Sequence, residues 1–439
     1  MANPKPGDFV EITTADESIR GTLLQSPELE KDIVIIKLPS GYNIGIDRAK
    51  VKRISVSQQQ QAVEKEAAPE RKEKPQGKLP KISILHTGGT IASKVDYKTG
   101  GVTAAFSEEE MLSLFPELKQ IAAIASRKIA QLQSEMMRFP HYNLIAREVR
   151  REIEAGADGI IVTHGTDTMH YTSAALAFIF EKLPVPVILV GAQRSSDRGS
   201  TDAALNLISA VYFIANSDFA GVAICMHENM SDASCLILPA TKTRKMHTSR
   251  RDAFRPINTS AIARVDFEAR SIAFLGSYER KGLVAKKEKL QLFDEKIKVG
   301  MIKTHTNMFA SEFLAFKGFA GLVVEGTGLG HLPNEEIDEY TGENKRVFAA
   351  VKALVDSGTV VAMAPQAIYG RIQLNVYTPQ REIQEIGVLG HLSDMTPETT
   401  FIKLAWLPSN YKKAEVKELV VKNLRGEITD RTEPKDFLI

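Results

Sequence analysis

Ile84-Leu85-His86-Thr87-Gly88-Gly89-Thr90-Ile91-Ala92 and Ile160-Ile161-Val162-Thr163-His164-Gly165-Thr166-Asp167-Thr168 decide the reading of this chain. Each sets a loop of Gly, Thr and His directly behind an apolar run of strand length. Such runs, without polar alternation, are the mark of strands buried on both faces. The same pattern recurs at residues 81–86, 159–163, 185–191 and 221–226, with helical stretches at 169–181 and 203–216 between them. Strands alternating with helices predict a parallel sheet covered on both faces. In such sheets ligands bind at the carboxyl ends of the strands, so two loops far apart in sequence can share one pocket.

Working outward, a second α/β set follows at 298–302, 321–324 and 360–362, with a helix at 345–356. The Lys- and Glu-rich stretch 270–296 between the two sets reads as their connection. Upstream, five short runs at 8–13, 19–25, 32–38, 42–46 and 50–56 are split by turn signals such as Pro39-Ser40-Gly41. Five strands in so few residues predict a small SH3-like β-barrel. Residues 57–80 hold no aromatic residue and are rich in Gln, Glu and Lys, the composition of a solvated linker. The expected organisation is α/β: an SH3-like β-barrel over 1–56, a charged linker over 57–80, a large α/β domain over 81–290 and a smaller one over 291–439.

The bulk numbers narrow the function classes. Of 439 residues, 43% are hydrophobic and 25% charged, the balance of a globular chain. No apolar run approaches the roughly 20 residues that span a bilayer, and the first residues do not resemble a signal peptide. A cytoplasmic protein without membrane attachment is expected. A net charge of +2 argues against a chain that grips nucleic acid over most of its surface. The two cysteines, Cys225 and Cys235, suit buried free thiols better than a disulfide framework.

Paired glycines let backbone N–H groups turn toward an oxyanion with no side chain in the way. A threonine just beyond them, Thr90, stands where a nucleophile belongs, and the loop lacks the phosphate-cradle pattern GxxxxGK[ST]. A threonine hydroxyl needs a base. The stretch Thr241-Lys242-Thr243-Arg244-Lys245-Met246-His247, continuing to Arg250-Arg251-Asp252-Ala253-Phe254, offers two lysines. Nearby cations would favour a neutral amine there. Blander readings stand beside each residue: Asp167 as a helix cap, Lys245 as part of a solvated basic loop, Thr90 as a strand–helix turn. His86, His164 and His170 fit no metal-binding spacing and read as structural groups.

These segments resemble the signature segments of bacterial-type L-asparaginases, and the likeness runs from Lys81 to the C-terminus. The lysine segment is similar in placing an aspartate and then Phe254 behind Lys245, which favours Lys245 over Lys242. Asp394-Met395-Thr396-Pro397-Glu398 matches in style as well. The resemblance implies that Thr90 attacks an amide, that Thr166, Asp167 and Lys245 relay the proton, and that Ser134 and Glu135 contact the substrate. Backbone N–H groups near Gly89 and Thr166 would hold the oxyanion. Tyr97 lies too early for the family's lid tyrosine, and Gly328-Leu329-Gly330-His331 departs from the distal turn of some members.

With its barrel, its linker and the tail Asn423-Leu424-Arg425-Gly426-Glu427-Ile428, the full layout resembles a narrower family, the D subunits of archaeal glutamyl-tRNA(Gln) amidotransferases. That resemblance implies release of ammonia from glutamine or asparagine for a partner, the E subunit of the same amidotransferase, which binds tRNA(Gln) and uses ATP and Mg. It implies no cofactor in this chain, and a homodimer. The alternatives are a free-standing L-asparaginase and a non-catalytic scaffold of a tRNA complex.

Overall fold

The computed structural model describes residues 4–15, 17–24, 32–37, 43–57, 79–89, 93–95, 102–104, 115–194, 201–282 and 290–437. Most of the expected linker, Tyr97 and Thr90 itself lie outside the described residues.

The N-terminal strands are β1 (Phe9–Thr13), β2 (Ser18–Leu24), β3 (Ile33–Lys37), β4 (Asn43–Asp47) and β5 (Arg53–Val56). They form one antiparallel sheet in the order β4-β3-β2-β1-β5. The last strand therefore returns beside the first, as in a small SH3-like barrel. Val10, Ile12, Leu23, Val34, Ile36 and Ile46 make its core. Alternation along β1 supplies Val10 and Ile12 to the same face.

The next strands in chain order are β6 (Lys81–His86), β7 (Ser93–Val95), β8 (Val102–Ala104), β9 (Ala123–Lys128), β10 (Gly159–Thr163), β11 (Pro186–Val190), β12 (Gly221–His227) and β13 (Cys235–Pro239). A hairpin of β14 (Thr243–Lys245) and β15 (Phe254–Pro256) precedes β16 (Ala263–Asp266) and β17 (Ser271–Phe274). The large sheet has eight strands in the order β17-β16-β13-β12-β11-β10-β6-β9. One half of it is parallel: β6 lies between β9 and β10, and β10 lies beside β11. Beyond β12 the sheet continues antiparallel through β13, β16 and β17. The stretch expected to be purely connecting thus begins with an edge strand, β17. Its Ser-Ile-Ala-Phe sequence pairs with β16 through backbone bonds that composition does not reveal.

The central strands are buried on both faces because helices cover both. Ile160 and Val162 face α1 (Phe139–Glu154) and α2 (Met169–Ile179), joining Tyr142, Ile145, Ala175 and Phe178 in one core. Ile161, one residue out of phase, belongs to the opposite core with Leu207 and Val211 of α3 (Ala203–Asn216).

The C-terminal body holds a parallel sheet of β18 (Val299–Lys303), β19 (Gly321–Gly326) and β20 (Val360–Pro365), with α4 (Gly342–Ser357) and α5 (Pro397–Asn410). Val323, Val360, Leu404 and Trp406 join the same core as α1 and α2. Two fully buried ion pairs finish this packing. Lys403 meets Glu427 at 2.7 Å, and Lys242 meets Asp394 at 2.7 Å. Glu427 also accepts from the backbone N–H groups of Leu424 and Arg425, so the tail folds around its own carboxylate.

Candidate active site

Parallel pairing brings the ends of β6 and β10 level, with His86 opposite Thr163. The pairing continues one residue further, where Thr87 donates to the Thr163 carbonyl from its backbone N–H at 3.1 Å and from its hydroxyl at 2.8 Å. The chain then turns through Gly88 (φ 121°) and Gly89 (φ 87°), conformations that L side chains disfavour. Space demands glycine as well. A Cβ on Gly89 would stand 2.6 Å from the Gly165 backbone nitrogen, and one on Gly88 would strike the Leu132 carbonyl. Gly165 in turn packs on Ser134, whose hydroxyl would lie 3.0 Å from an added Cβ. Thr168 donates to the Ser134 carbonyl at 2.6 Å. Loops behind β6, β9 and β10 therefore meet backbone to backbone, and Thr90 is the next residue along the chain from Gly89.

Into this junction the β14–β15 hairpin brings Lys245. Its Nζ lies 2.9 Å from Thr166 Oγ1 and 2.7 Å from Asp167 Oδ1. The Lys245 side chain is only 9% exposed, so it is no solvated basic loop. Asp167 spends its carboxylate on this lysine; the residue at the N-cap of α2 is Thr168. Lys242 is differently employed. Its Nζ bonds the carboxylate of Asp394 at 2.7 Å and the Asp394 carbonyl at 3.1 Å, and burial pulls its pKa down against the pull of that carboxylate. The arginines expected to crowd the lysine each hold a carboxylate: Arg244 binds Glu398 at 3.0 Å, Arg250 binds Asp252 at 2.8 Å and Arg251 binds Asp232 at 2.5 Å. Each of these charges is balanced by a carboxylate of its own.

Buried histidines brace the loops. His164 Nδ1 lies 2.6 Å from the Gly165 carbonyl, so it carries the proton, and Nε2 accepts from the Thr172 hydroxyl at 2.8 Å. Burial pushes its pKa down to about 4. His86 links Thr163 and Ser126 at 2.8 Å each, and burial lowers it likewise to about 4. His170, pushed to about 3 chiefly by burial, lines an open cavity of about 420 Å³ together with Asp167, Tyr171, Arg244, Lys245 and Glu398. Among the described residues, no group of three or more His, Cys, Asp or Glu gathers to hold a metal. Cys225 and Cys235 are free and buried.

The structure thus brings together Gly89, Ser134, Thr166, Asp167 and Lys245. Glu135 follows Ser134 on a single 3-10 turn and is exposed. Sequence reasoning read Arg244 only as a cation near the lysine and assigned no role to Glu398, although Glu398 closes the quoted Asp394-to-Glu398 motif.

Three family models match this chain: "GatD N-terminal domain" over residues 4–56, "Asparaginase, N-terminal" over 81–277 and "Glutaminase/Asparaginase C-terminal domain" over 298–419. The D subunit of glutamyl-tRNA(Gln) amidotransferase from Pyrococcus furiosus is 42% identical over 99% of this chain and 97% of its own length. The chain belongs to the D-subunit family of glutamyl-tRNA(Gln) amidotransferases. The corresponding D subunit of Methanococcus maripaludis is 42% identical over 97% of this chain and 98% of its own. Among solved structures, the thermostable L-asparaginase from Thermococcus kodakarensis superposes with a TM-score of 0.69 at 29% identity, covering 80% of this chain and 100% of its own. No described helix is long and apolar enough to cross a membrane.

Proposed function

We propose that this asparaginase-like amidotransferase subunit hydrolyses the side-chain amide of glutamine or asparagine through a threonine acyl-enzyme. The observation that carries the reading is the Lys245–Thr166–Asp167 cluster seated where the Gly88-Gly89 turn meets Gly165. The Thr90 hydroxyl attacks the amide carbon, and Thr166, Asp167 and Lys245 take its proton and return it to the leaving nitrogen. Backbone N–H groups around Gly89 and Thr166 stabilise the oxyanion. Ammonia departs, leaving an ester on Thr90. Water then cleaves the ester and releases the amino-acid carboxylate. Ser134 and Glu135 hold the substrate. The first step cleaves C–N and the second cleaves the acyl C–O bond, so no redox partner is needed.

The ammonia serves the partner E subunit, which binds tRNA(Gln) and spends ATP with Mg to amidate the attached glutamate; this chain works without a cofactor of its own, as a homodimer in the cytoplasm. Support for the partnered reading comes from the match of residues 4–56 to a domain model named for this family. A free-standing asparaginase leaves that sheet without a task. The test is ammonia release from glutamine and from asparagine, with and without the E subunit, ATP and glutamyl-tRNA(Gln). Strong stimulation by the full mixture supports the partnered role. Fast asparagine hydrolysis indifferent to the mixture returns the chain to the free-standing asparaginases.

A further inference from the structure

Lys245 touches its two partners from a hairpin only three residues deep, and such a short element cannot hold a long side chain to sub-ångström tolerance alone. The hairpin is instead fastened at successive points to the start of α5 and the residues just before it. Thr399 donates to the Thr241 carbonyl at 2.8 Å, Lys242 pairs with Asp394 at 2.7 Å, and Arg244 pairs with Glu398 at 3.0 Å. Asp394 is itself pinned by the backbone N–H of Thr429 at 3.0 Å and by the Thr429 hydroxyl. The hairpin's own pairing runs on past its strands, with the Ile257 N–H donating to the Lys242 carbonyl at 2.7 Å.

We propose that Glu398 and Asp394 of the C-terminal body are positioning residues for the reaction, acting through Arg244 and Lys242 to place the Lys245 amine on Thr166 and Asp167. The inference rests on the proposed function for its kinetic readout alone. The geometry argues for placement rather than mere cohesion. Both cations precede Lys245 within three residues, and both carboxylates sit about the start of one helix whose N-cap, Thr396, accepts from the Thr399 N–H at 3.2 Å. A shift of that helix start moves the amine, and misplacing a reacting group by about 1 Å costs about a hundredfold in rate. Glu398 is also poorly served apart from Arg244. Its second oxygen, Oε2, is buried with no hydrogen-bond partner, and His170 is 4.0 Å from the first. Cohesion alone would be better met by an apolar side chain of similar size.

The test compares the full-length chain with Glu398→Gln and with the charge exchange Arg244→Glu plus Glu398→Arg. Two readouts are taken: steady-state ammonia release from glutamine, and the rate of chemical acylation of Lys245 measured by peptide mass spectrometry. Glu398→Gln is expected to lower kcat about tenfold with KM within about twofold, and to raise Lys245 acylation severalfold as the amine leaves its partners. The charge exchange is expected to restore much of both. Unchanged Lys245 acylation in Glu398→Gln overturns the proposal, whether kcat falls or not. A wild-type chain that releases no ammonia under any condition would sink the functional reading only, since acylation of Lys245 still reads the placement.

Discussion

Replacing Gly89 by alanine isolates the contact that joins the two signature loops. The new Cβ would lie 2.6 Å from the Gly165 nitrogen and 2.8 Å from its Cα, where ordinary contact begins at 3.4 Å. The loops must part by the difference of 3.4 and 2.6, or 0.8 Å, because both obstacles are backbone and cannot rotate away. That displacement falls between the loop of the proposed nucleophile and the Thr166–Asp167 loop, and parting reacting groups by about this much costs about a hundredfold in kcat. The φ of 87° adds a backbone penalty of about 1–2 kcal/mol. Gly156→Ala is the control. Gly156 has φ 86° with nothing within 4 Å of an added Cβ, so it carries the backbone penalty without the collision. The assay is ammonia release from glutamine for both variants, with urea unfolding midpoints. Both should lose the shared backbone penalty, Gly89→Ala should lose more because the collision adds to it, and only Gly89→Ala should lose activity. Gly89→Ala with wild-type kcat would refute the reasoning, as would equal losses of activity in the two variants.

Other expectations follow from buried groups. The folded-state pKa values of His86 and His164, about 4, lie below the ordinary 6.5, so between these values the unfolded chain binds protons that the native chain refuses. Their contribution to stability is present above pH 6.5 and is lost as pH falls toward 4, at about 1.4 kcal/mol per histidine per pH unit. The urea midpoint should therefore drop between about pH 7.5 and about pH 5.5, and His164→Gln should flatten the drop; a midpoint that stays level counts against it. Lys403→Met strands Glu427 in the core and should cost about 3–5 kcal/mol by urea unfolding, with Lys403→Met plus Glu427→Gln recovering part; equal midpoints for the single variant and wild type would contradict this. Ser134→Ala should raise KM for glutamine roughly tenfold with kcat little changed, the loss of one hydrogen bond to a charged substrate, and a fall in kcat alone would argue for another role.

Much of the architecture was legible because it rests on local signals. Runs such as Gly159–Thr163 announce strands buried on both faces, and Gly88-Gly89 and Gly165 announce loops with no room for a Cβ. What escaped depends on distant partners. β9 reads Ala-Ile-Ala-Ser-Arg-Lys, too polar to mark a strand, and it exists because it pairs with β6 at the sheet edge. The helix Pro397–Asn410 carries prolines and threonines that disguise it until its N-cap and the burial of its Trp406 in the shared core are seen. Lys242 and Lys245 are of one residue type in one basic run. Only the fold shows that the first meets Asp394 in the core while the second reaches Thr166. The carboxylate partners of Arg250 and Arg251, Asp252 and Asp232, are likewise set by the folded loops.

Proton transfer in the proposed reaction turns on Lys245, and ammonia release from glutamine by Lys245→Met beside the wild-type chain tests it most directly. Proton relay by a positioned side chain contributes about 10²–10⁴-fold, so a loss of at least about a hundredfold in kcat is predicted, with an unchanged circular dichroism spectrum. Retention of activity within a few-fold of wild type would contradict the mechanism and place the base elsewhere.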